Sequence, residues 1–344
     1  MARSTDKQPH TIMPTHSTAA STSISRRFSV APMMDYTDRF CRYFHRLLSK
    51  ETLLYTEMVT TGALIHGDQY RHLHYHESEH PIALQLGGSD PKELSISARL
   101  ASDYQYDEIN LNCGCPSDRV QSGKFGATLM KDAALVADCF RAMQDAGNIP
   151  VTIKHRIGID EQDSYQFLCD FIGTVATAGC QTFIVHARKA WLQGLSPKQN
   201  REVPPLDYDR IYQLKQDFPK LEIIINGGIK TLDEAVDHLN HVDGVMMGRE
   251  AYHNPYLLAD VDRTIYHSDR SPPTRLQVLE QFSDFLQGEL ESGVKLSHMT
   301  RHILGLYLGV PGARKFRRHI SENAHLPDAD TNILHQALSC MNNR

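Results

Sequence analysis

The chain has 344 residues, with 36 Lys and Arg against 41 Asp and Glu, and a formal net charge of -5 at pH 7. This acidic balance argues against indiscriminate binding to nucleic acid, although it leaves room for a local basic face. The seven cysteines, without regular pairing or a secretory h-region, indicate reduced thiols in a cytoplasmic enzyme, and no apolar run reaches the length of a membrane span.

The length accommodates one large α/β barrel with a smaller module, or two or three ordinary domains. Residues 1–25 are rich in Ser, Thr and His and lack hydrophobic periodicity, which predicts a disordered N-terminal tail. A transit peptide is an alternative because acids are few there, but no amphipathic Arg-rich helix is visible. We expect a barrel domain over 26–265 and a helical domain over 266–344.

After the tail, short runs of β-branched or apolar residues alternate with segments of helical periodicity. The predicted strands are 28–34, 52–59, 81–86, 108–113, 151–156, 182–188, 222–228 and 244–249. The predicted helices between them include 38–49, 91–102, 133–146, 165–178 and 232–240. Eight such units favour a (β/α)₈ TIM barrel, whose active site lies at the carboxyl ends of the strands. A doubly wound open sheet also fits the spacing, but no G-x-G-x-x-G follows the first strand.

Beyond about residue 272 the pattern predicts only helices, at 276–290, 297–308 and 332–341. Glycines and prolines separate them, which is typical of a small all-helical C-terminal domain. Between two of these helices lies the sequence RKFRR at 314–318, with four cations around one aromatic residue. A solvated face is the ordinary interpretation of such a charge run, and a contact with nucleic acid is the functional one.

The fourth predicted strand has an unusual polar face. Asn110 and Asn112 point to one side of the strand, because successive side chains alternate between faces. Buried parallel strands are normally apolar on both faces, so these amides need hydrogen-bond partners, which a polar ligand could supply. A glycine and a proline flank Cys115 and place its thiol just past the carboxyl end of the strand. A buried cysteine before a turn is the plain alternative.

Polar residues also cluster at other strand ends. The fifth strand carries Lys154 and Arg156 on one face, while the seventh and eighth end in NGG at 226–228 and GR at 248–249. Barrel enzymes often bind a phosphate at these last two ends, where glycine allows close approach and Arg matches phosphate geometry. A plain turn is the alternative for 226–228, and a structural ion pair is the alternative for Lys154.

Two further groups invite a metal interpretation, which we do not favour. The histidines of the first group are His66, His72, His74, His76 and His80. Their alternating spacing aligns the rings only in an extended chain, and no cysteine accompanies them. The second group, Cys113 and Cys115, has C-x-C spacing, which is not that of a thioredoxin motif. We therefore expect no metal.

The motifs APMMD at 31–35, NLNCGCP at 110–116 and INGG at 225–228 together resemble the tRNA-dihydrouridine synthases, most closely the A subfamily. These flavin enzymes reduce uridines 20 and 20a in the D-loop of tRNA. The resemblance implies FMN as cofactor, NADPH as reductant and Cys115 as the proton donor. It implies flavin contacts from Pro32, Met33, Met34, Gln85, Lys154, His186, Asn226, Gly227, Gly228, Gly248 and Arg249. It implies tRNA contacts from Asn112, Lys198, Arg201, Arg314 and Arg317.

The implied chemistry is hydride transfer to C6 of uracil and proton transfer to C5. An unperturbed thiol, with a pKa of about 8.5, is mostly protonated at neutral pH and can donate that proton. The base must leave its stack in folded tRNA, and binding through the basic segments would offset that cost. A dihydroorotate-dehydrogenase-like reductase of a free pyrimidine is one alternative, although it does not need the basic helical tail. A non-catalytic RNA-binding barrel is another. We expect a cytoplasmic monomer without a membrane partner.

Overall fold

The computed structural model of the protein describes residues 24–342, so most of the predicted tail lies outside the described residues. Within that range, eight parallel strands pair in chain order into a closed barrel. The strands are β1 (Phe28–Val30), β2 (Leu53–Thr60), β3 (Ile82–Gly87), β4 (Glu108–Cys113), β5 (Val151–Arg156), β6 (Thr182–His186), β7 (Glu222–Asn226) and β8 (Gly244–Met247). The predicted TIM barrel is confirmed, and the open sheet is excluded because β1 pairs with β8.

Helices surround the barrel and make up the C-terminal part of the chain. The α-helices are α1 (Arg39–Leu48), α2 (Thr61–His66), α3 (Gln69–Leu73), α4 (Pro91–Asp103), α5 (Asp118–Ser122), α6 (Ala133–Ala146), α7 (Tyr165–Thr177), α8 (Tyr208–Asp217), α9 (Leu232–Leu239), α10 (Arg249–His253), α11 (Val261–Thr264), α12 (Arg275–Glu291), α13 (Leu296–Thr300), α14 (Ala313–Asn323) and α15 (Asn332–Asn342). Short 3₁₀ helices lie at Glu77–Glu79, Gly126–Lys131, Gln199–Arg201, Pro255–Asp260 and Arg301–Ile303. None of the helices in residues 24–342 is both long and apolar enough to cross a membrane.

Capping residues explain why the longer helices begin where the sequence predicts. Asp90 accepts hydrogen bonds from two backbone N–H groups of the first turn of α4, at 2.8 and 3.1 Å, and Pro91 opens that helix. Thr231 and Glu234 form a capping box at the start of α9. Such caps satisfy amides that have no partner within the helix. The helices not named in advance are α8, α14 and several of four to six residues, and in the short ones there is too little sequence for a periodic signal.

Four predicted strands extend too far at their carboxyl ends. The observed ends are Val30, His186, Asn226 and Met247. After β1 the chain enters a turn in which Asp35 has φ +65°, and after β7 it passes through Gly227 and Gly228 at φ +116° and +78°. Positive φ values are incompatible with a β-strand. The residues predicted as strand ends are therefore loops at the edge where a barrel enzyme keeps its active site.

A buried ion-pair group closes the amino-terminal end of the barrel; we call it the barrel floor. Arg26 Nε lies 2.5 Å from Glu108 Oε2, and Arg26 Nη1 lies 3.0 Å from Glu222 Oε2. Tyr55 OH and Thr152 Oγ1 both donate to Glu108 Oε1, at 2.5 and 2.7 Å. Burial by itself would lower the pKa of Arg26, but the two carboxylates hold it above its ordinary value. The positive charge of Arg26 at the floor is therefore fully compensated by carboxylates.

The C-terminal helices pack against the first helix of the barrel. The ring of Tyr43 in α1 stacks on that of Phe285 in α12, with centroids 3.7 Å apart and planes 13° apart. Arg39 Nη2 and Glu289 Oε2 form an ion pair of 2.5 Å beside this stack. The helical part is therefore fixed to the barrel, while the predicted boundary at 265 and 266 stays a prediction.

The placement of the basic run 314–318 between two helices is wrong, because it lies inside α14. Phe316 and Ile320 are buried one turn apart and fix this helix against its neighbours. Gly312, at φ +86°, directly precedes it. The cations consequently project from an ordered helix rather than from a connecting loop.

The predicted helix 297–308 is also interrupted. The chain forms α13, then the 3₁₀ turn Arg301–Ile303, and no longer helix in this range. Gly305 lies so close to the barrel that a Cβ atom there would be 2.3 Å from the carbonyl oxygen of His253. Close packing of this segment against the barrel has overridden its helical periodicity.

Candidate active site

Side-chain amides form a hydrogen-bonded ladder across the inner face of β3, β4 and β5. Asn112 Nδ2 donates to Gln85 Oε1 at 2.9 Å, and Gln85 Nε2 donates to Asn110 Oδ1 at 2.8 Å. Asn110 Nδ2 in turn donates to Thr152 Oγ1 at 2.9 Å. The amides do need hydrogen-bond partners, and those of the fully buried Asn110 come from neighbouring strands of the protein. Only Asn112 reaches the carboxyl end of the barrel.

Cys115 is held in place by its backbone. Its N–H donates to Asn112 Oδ1 at 2.9 Å, and its carbonyl accepts from Ala127 N at 2.9 Å. Gly126 allows the second contact, since it has φ +70° and a Cβ there would lie 2.6 Å from the Cys115 carbonyl oxygen. The thiol is half-buried rather than sealed in the core. This placement agrees with a thiol presented to a substrate, and the buried-cysteine alternative is excluded.

Cys113 has a different environment. It is fully buried in the apolar core, and burial raises the pKa of its thiol well above the ordinary value. Cys113 is the last residue of β4, whereas Cys115 lies beyond the strand, after Gly114, so alternation along the strand no longer fixes the direction of its side chain. Only Cys115 faces the carboxyl end of the barrel.

Lys154 and Asn226 meet at the carboxyl end of the barrel. Lys154 Nζ donates to Asn226 Oδ1 at 2.8 Å, and Asn226 Nδ2 donates to the carbonyl of Met246 at 2.8 Å. Burial and, second, the charge of Arg156 lower the pKa of Lys154 to about 7, while a Cys115 thiolate would oppose that shift. The structural ion pair considered for Lys154 is absent from the described residues, where its partner is an amide.

His186 lies at the end of β6 beside these groups. Its Nδ1 accepts a hydrogen bond from the backbone N–H of Arg188 at 3.2 Å, which places a proton on Nε2 in the neutral ring. Burial, with repulsion from Arg156 and Lys154, lowers the pKa of His186 well below its ordinary value. The imidazole is therefore a neutral donor at pH 7. We call the surroundings of Asn112, Cys115, Lys154, His186 and Asn226 the barrel mouth.

Arg156, which the sequence placed on the same face as Lys154, is a buried part of the barrel mouth. Its guanidinium donates to the carbonyls of Gly114 at 2.9 Å, Lys189 at 3.1 Å and Asn200 at 3.0 Å. Its partners are carbonyls, which carry no formal charge, so its positive charge stays uncompensated. Burial, with repulsion from Arg201 and Arg188, lowers its pKa to about 10.

Further cations rim the barrel mouth. Burial and the neighbouring Arg249 lower the pKa of both Arg188 and Arg201. Arg249 itself forms an exposed ion pair of 2.7 Å with Glu202. Arg188 is a residue that the sequence analysis missed, although it follows His186 by only two positions. Of these three arginines, only Arg249 has an ion-pair partner among the residues described.

The glycines at the mouth are not equivalent. At Gly228 a Cβ atom would lie 2.5 Å from Leu206, and at Gly227 it would lie 3.2 Å from the ring of His186. Both residues also have positive φ. Packing and backbone conformation therefore explain why glycine occupies both positions. At Gly248 the nearest atoms to a Cβ would be Ala31 Cβ and Met33 Sδ, each at 3.8 Å. The protein itself therefore leaves space beside Gly248.

The first strand end completes the barrel mouth. Met33 N–H donates to Thr37 Oγ1 at 3.0 Å, and Met33 O accepts from the N–H of Tyr36 at 3.1 Å, which closes a tight turn after β1. Pro32 and Met33 are half-buried, and Met34 is 53% exposed. An exposed methionine at a barrel mouth is available to a ligand.

The four basic residues among the predicted tRNA contacts lie on two separate elements. Lys198 and Arg201 are exposed on the segment after β6, and Arg201 is close enough to Cys115 for a thiolate there to raise its pKa. Arg314 and Arg317 lie one turn apart on α14, and neither forms an ion pair with another described residue. The structure therefore brings only Arg201 of this set to the barrel mouth.

The histidine group does not form a cluster. His76 Nδ1 is 2.8 Å from Ser78 Oγ, and His80 Nδ1 is 2.6 Å from Asp107 Oδ2. His74 stacks on the ring of Tyr70. Between residues 24 and 342, no three His, Cys, Asp or Glu side chains are grouped in a way that could hold a metal ion.

The fold and the barrel mouth together define the class of this protein. Its structure resembles the old yellow enzyme homologue from Zymomonas mobilis with a TM-score of 0.52, over 75% of this chain and 93% of that one. At 12% identity this likeness shows the fold alone. A parallel barrel with a thiol, cations and glycines at its carboxyl end is an α/β-barrel enzyme.

Sequence comparison identifies the family. The model of the family described as dihydrouridine synthase (Dus) matches residues 29–342. The chain belongs to the dihydrouridine synthase family and is an oxidoreductase. The family reduces uridine to dihydrouridine in tRNA, and the resemblance seen in the sequence motifs is confirmed.

Individual relatives match over almost their whole length. The tRNA-dihydrouridine(20/20a) synthase of Yersinia pestis is 61% identical over 315 residues, which is 91% of each chain. That of Escherichia coli K12 is 63% identical over 315 residues, again 91% of each chain. That of Vibrio vulnificus is 60% identical over 316 residues, or 92% of this chain and 97% of the relative.

Proposed function

We propose that this protein reduces uridine to 5,6-dihydrouridine at positions 20 and 20a in the D-loop of tRNA. The names of the relatives that match over 90% of their length support this specificity. The observation that carries the proposal is the half-buried Cys115 thiol, fixed through its backbone beside Lys154 at the barrel mouth. NADPH as reductant and a cytoplasmic location belong to the same proposal.

The residues of the barrel mouth fit an anionic flavin mononucleotide. Its cations lower one another's pKa, so the mouth has positive charge that a phosphate would balance. The space beside Gly248 lets a ligand approach the backbone closely. The barrel fold is shared with an old yellow enzyme homologue. We propose that FMN is held by Pro32, Met33, Met34, Gln85, Lys154, His186, Asn226, Gly227, Gly228, Gly248 and Arg249.

When bound, FMN supplies the hydride that reaches C6 of uracil. The protein supplies the proton: the S–H bond of Cys115 breaks as the C–H bond at C5 forms, and the electron pair of S–H stays on sulfur. Asn112 fixes the backbone of Cys115, so the thiol approaches the base from one direction. We propose that Asn112 also contacts the substrate nucleotide from this position.

Lys154 and His186 adjust the charge of the barrel mouth. With a pKa of about 7, Lys154 becomes fully protonated when an anion binds beside it, because an opposite charge favours the ammonium form. Neutral His186 offers Nε2–H as a donor without adding charge. Together they stabilise negative charge that develops during the reaction, without a metal ion.

Binding of tRNA extends beyond the barrel mouth. Reduction requires the target base to be turned out of its stack, which costs energy that contacts elsewhere must offset. We propose that Lys198 and Arg201 beside the mouth, and Arg314 and Arg317 on α14, provide these contacts. Arg314 and Arg317 fit this role because no carboxylate among the described residues neutralises them. Phosphate contacts of this kind weaken steeply with salt.

The test uses the purified full-length protein. We expect a flavin absorption spectrum that NADPH bleaches and that tRNA lacking dihydrouridine restores, with new dihydrouridine mapped to positions 20 and 20a by mass spectrometry. The same tRNA already carrying dihydrouridine is the control and should not restore the spectrum. Restoration by a free pyrimidine as efficiently as by tRNA, or purification without flavin, would contradict the proposal.

A further inference from the structure

Ser117 lies two residues beyond Cys115, and its hydroxyl contacts the thiol. Cys115 Sγ donates a hydrogen bond to Ser117 Oγ at 3.6 Å, a normal length for a bond that involves sulfur. Both residues are half-buried at the barrel mouth. The thiol that we propose as the acid therefore has a hydroxyl as its immediate partner.

The position of Ser117 would ordinarily give its side chain another task. Ser117 is the N-cap residue of α5, and a serine there usually accepts a hydrogen bond from a backbone N–H of the first turn. Ser164 does this at the start of α7, where its Oγ accepts from Phe167 N at 3.1 Å. Ser117 makes no such bond. Its hydroxyl is directed to Cys115 instead.

The loop that carries Ser117 is fastened to the neighbouring loop. Gln121 Nε2 donates to the carbonyl of Pro116 at 2.8 Å and to the carbonyl of Leu192 at 2.6 Å. These bonds tie the start of α5 to the segment that follows β6. Pro116 and Gln121 flank Ser117 in the sequence, so these bonds fix the backbone that carries its hydroxyl near the thiol.

We propose that Ser117 is a positioning residue that orients the Cys115 thiol and then stabilises its thiolate. In the resting protein Ser117 Oγ accepts the S–H hydrogen. When that proton moves to C5 of uracil and the flavin hydride moves to C6, sulfur keeps the S–H electron pair. The Ser117 hydroxyl then rotates and donates to the thiolate, until a proton from water restores the thiol. This inference rests on the proposed role of Cys115.

Three cations also lie near Cys115. Lys154, Arg156 and Arg201 are all near enough to Cys115 for its negative charge to raise their pKa. These cations lie on β5 and on the segment after β6. They act on the thiolate from a distance, whereas the Ser117 hydroxyl can donate a hydrogen bond to sulfur directly. Removal of the Ser117 hydroxyl should therefore change the reactivity of Cys115 even though the cations remain.

The first experiment needs no substrate. Iodoacetamide alkylation of Cys115 is followed against pH in the flavin-loaded protein, with mass spectrometry to separate Cys115 from the other cysteines. In Ser117→Ala we expect the pH midpoint of alkylation to rise by about one unit, because a hydrogen bond to an ionised group is worth about tenfold in the equilibrium. An unchanged midpoint would overturn the inference.

Ser164→Ala is the matched control. It removes a serine that does cap its helix, so it should lower the melting temperature by about 2 °C and leave alkylation of Cys115 unchanged. Ser117→Ala should show the reverse pattern, since no capping bond is lost. A melting shift in Ser117→Ala without a shift in alkylation would assign Ser117 a purely structural role.

The second experiment measures turnover. Single-turnover formation of dihydrouridine should fall about tenfold in Ser117→Ala and recover in Ser117→Thr, which keeps the hydroxyl. Full activity of Cys115→Ala would overturn the role proposed for the thiol but would leave the alkylation result intact. An inactive Cys115→Ala together with a fully active Ser117→Ala would overturn this inference alone.

Discussion

The barrel floor and the barrel mouth are both polar ends of one barrel, but their charges are arranged in opposite ways. At the floor, Arg26 contacts two carboxylates, and its pKa lies above the ordinary value. At the mouth, Lys154 contacts an amide, Arg156 contacts carbonyls, and the pKa values of both are lowered. Burial disfavours the charged form of the cation at both ends. The opposite pKa shifts therefore come from the hydrogen-bond partners, which are carboxylates at the floor and uncharged groups at the mouth.

This difference separates polar residues that hold the fold from those that act on a ligand. A buried pair whose charges cancel requires nothing more, and removing one member leaves the other uncompensated. Cations that repel one another in a half-buried cleft lower the stability of the empty site and gain from an anion. We therefore assign the floor to the stability of the fold, and the mouth to the binding and chemistry proposed above.

The largest effect is expected from the barrel mouth. Cys115→Ala should lower dihydrouridine formation by about 10² to 10⁴, because positioned acid catalysis is lost, while flavin content and tRNA affinity are kept. Rates are measured on tRNA that lacks the modification, with flavin content from the absorption spectrum. Cys169→Ala, which changes a half-buried cysteine on α7, should react normally. A fully active Cys115→Ala protein would remove the thiol from the mechanism.

The next effect is expected from the barrel floor. Glu108→Gln should lower the free energy of unfolding by about 3 kcal/mol, because Arg26 loses its nearer carboxylate in a buried site. Denaturant unfolding measures this, and flavin content in the folded protein should not change. Glu202→Gln is the control at the rim of the mouth, where the carboxylate is exposed and no measurable loss is expected. Equal losses in the two variants would erase the distinction between the two ends.

A smaller effect is expected far from both ends. Reversing the charges of Arg314 and Arg317 to Glu should weaken tRNA binding about 10- to 100-fold at modest salt and leave flavin content unchanged. Arg318→Glu is the matched control on α14, because Arg318 is already paired with Glu322 at 2.7 Å. Filter binding or fluorescence anisotropy at two salt concentrations measures the change. Equal losses for Arg318→Glu would point to net charge rather than to Arg314 and Arg317 themselves.

Much of the fold could be predicted from sequence because its signals are local. Caps such as Asp90 and Thr231 mark helix starts, and continuous apolar runs mark buried parallel strands. The errors include 31–34, 227–228 and 297–308, where turns or close packing against another part of the chain decide the backbone. Local patterns contain no information on such contacts.

The candidate site was predictable to a different degree. Gly114 and Pro116 predicted the end of β4 and so placed Cys115 just past it, while alternation put Asn110 and Asn112 on one face, because both rules depend only on local sequence. It could not show that Asn110 pairs with Gln85 and Thr152, since those partners come from neighbouring strands. The capping position of Ser117 also predicts a bond that the structure does not contain.

The central claim, that the charge of the barrel mouth is uncompensated until a ligand binds, is tested most directly at Lys154. Its pKa of about 7 lies below the 10.5 of the unfolded chain, so between these pH values the unfolded chain binds more protons and stability rises with pH. From pH 7 to 9, the flavin-free protein should gain about 1–2 kcal/mol in free energy of unfolding, after allowance for solvent at the mouth.

Denaturant unfolding at a series of pH values measures this gain in the flavin-free protein, in Lys154→Met and in the FMN-loaded protein. We predict that the gain disappears in Lys154→Met and shrinks when FMN is bound, because the anion restores the proton on Lys154. A rise of equal size in Lys154→Met, or a flat profile in the flavin-free protein, would contradict the account.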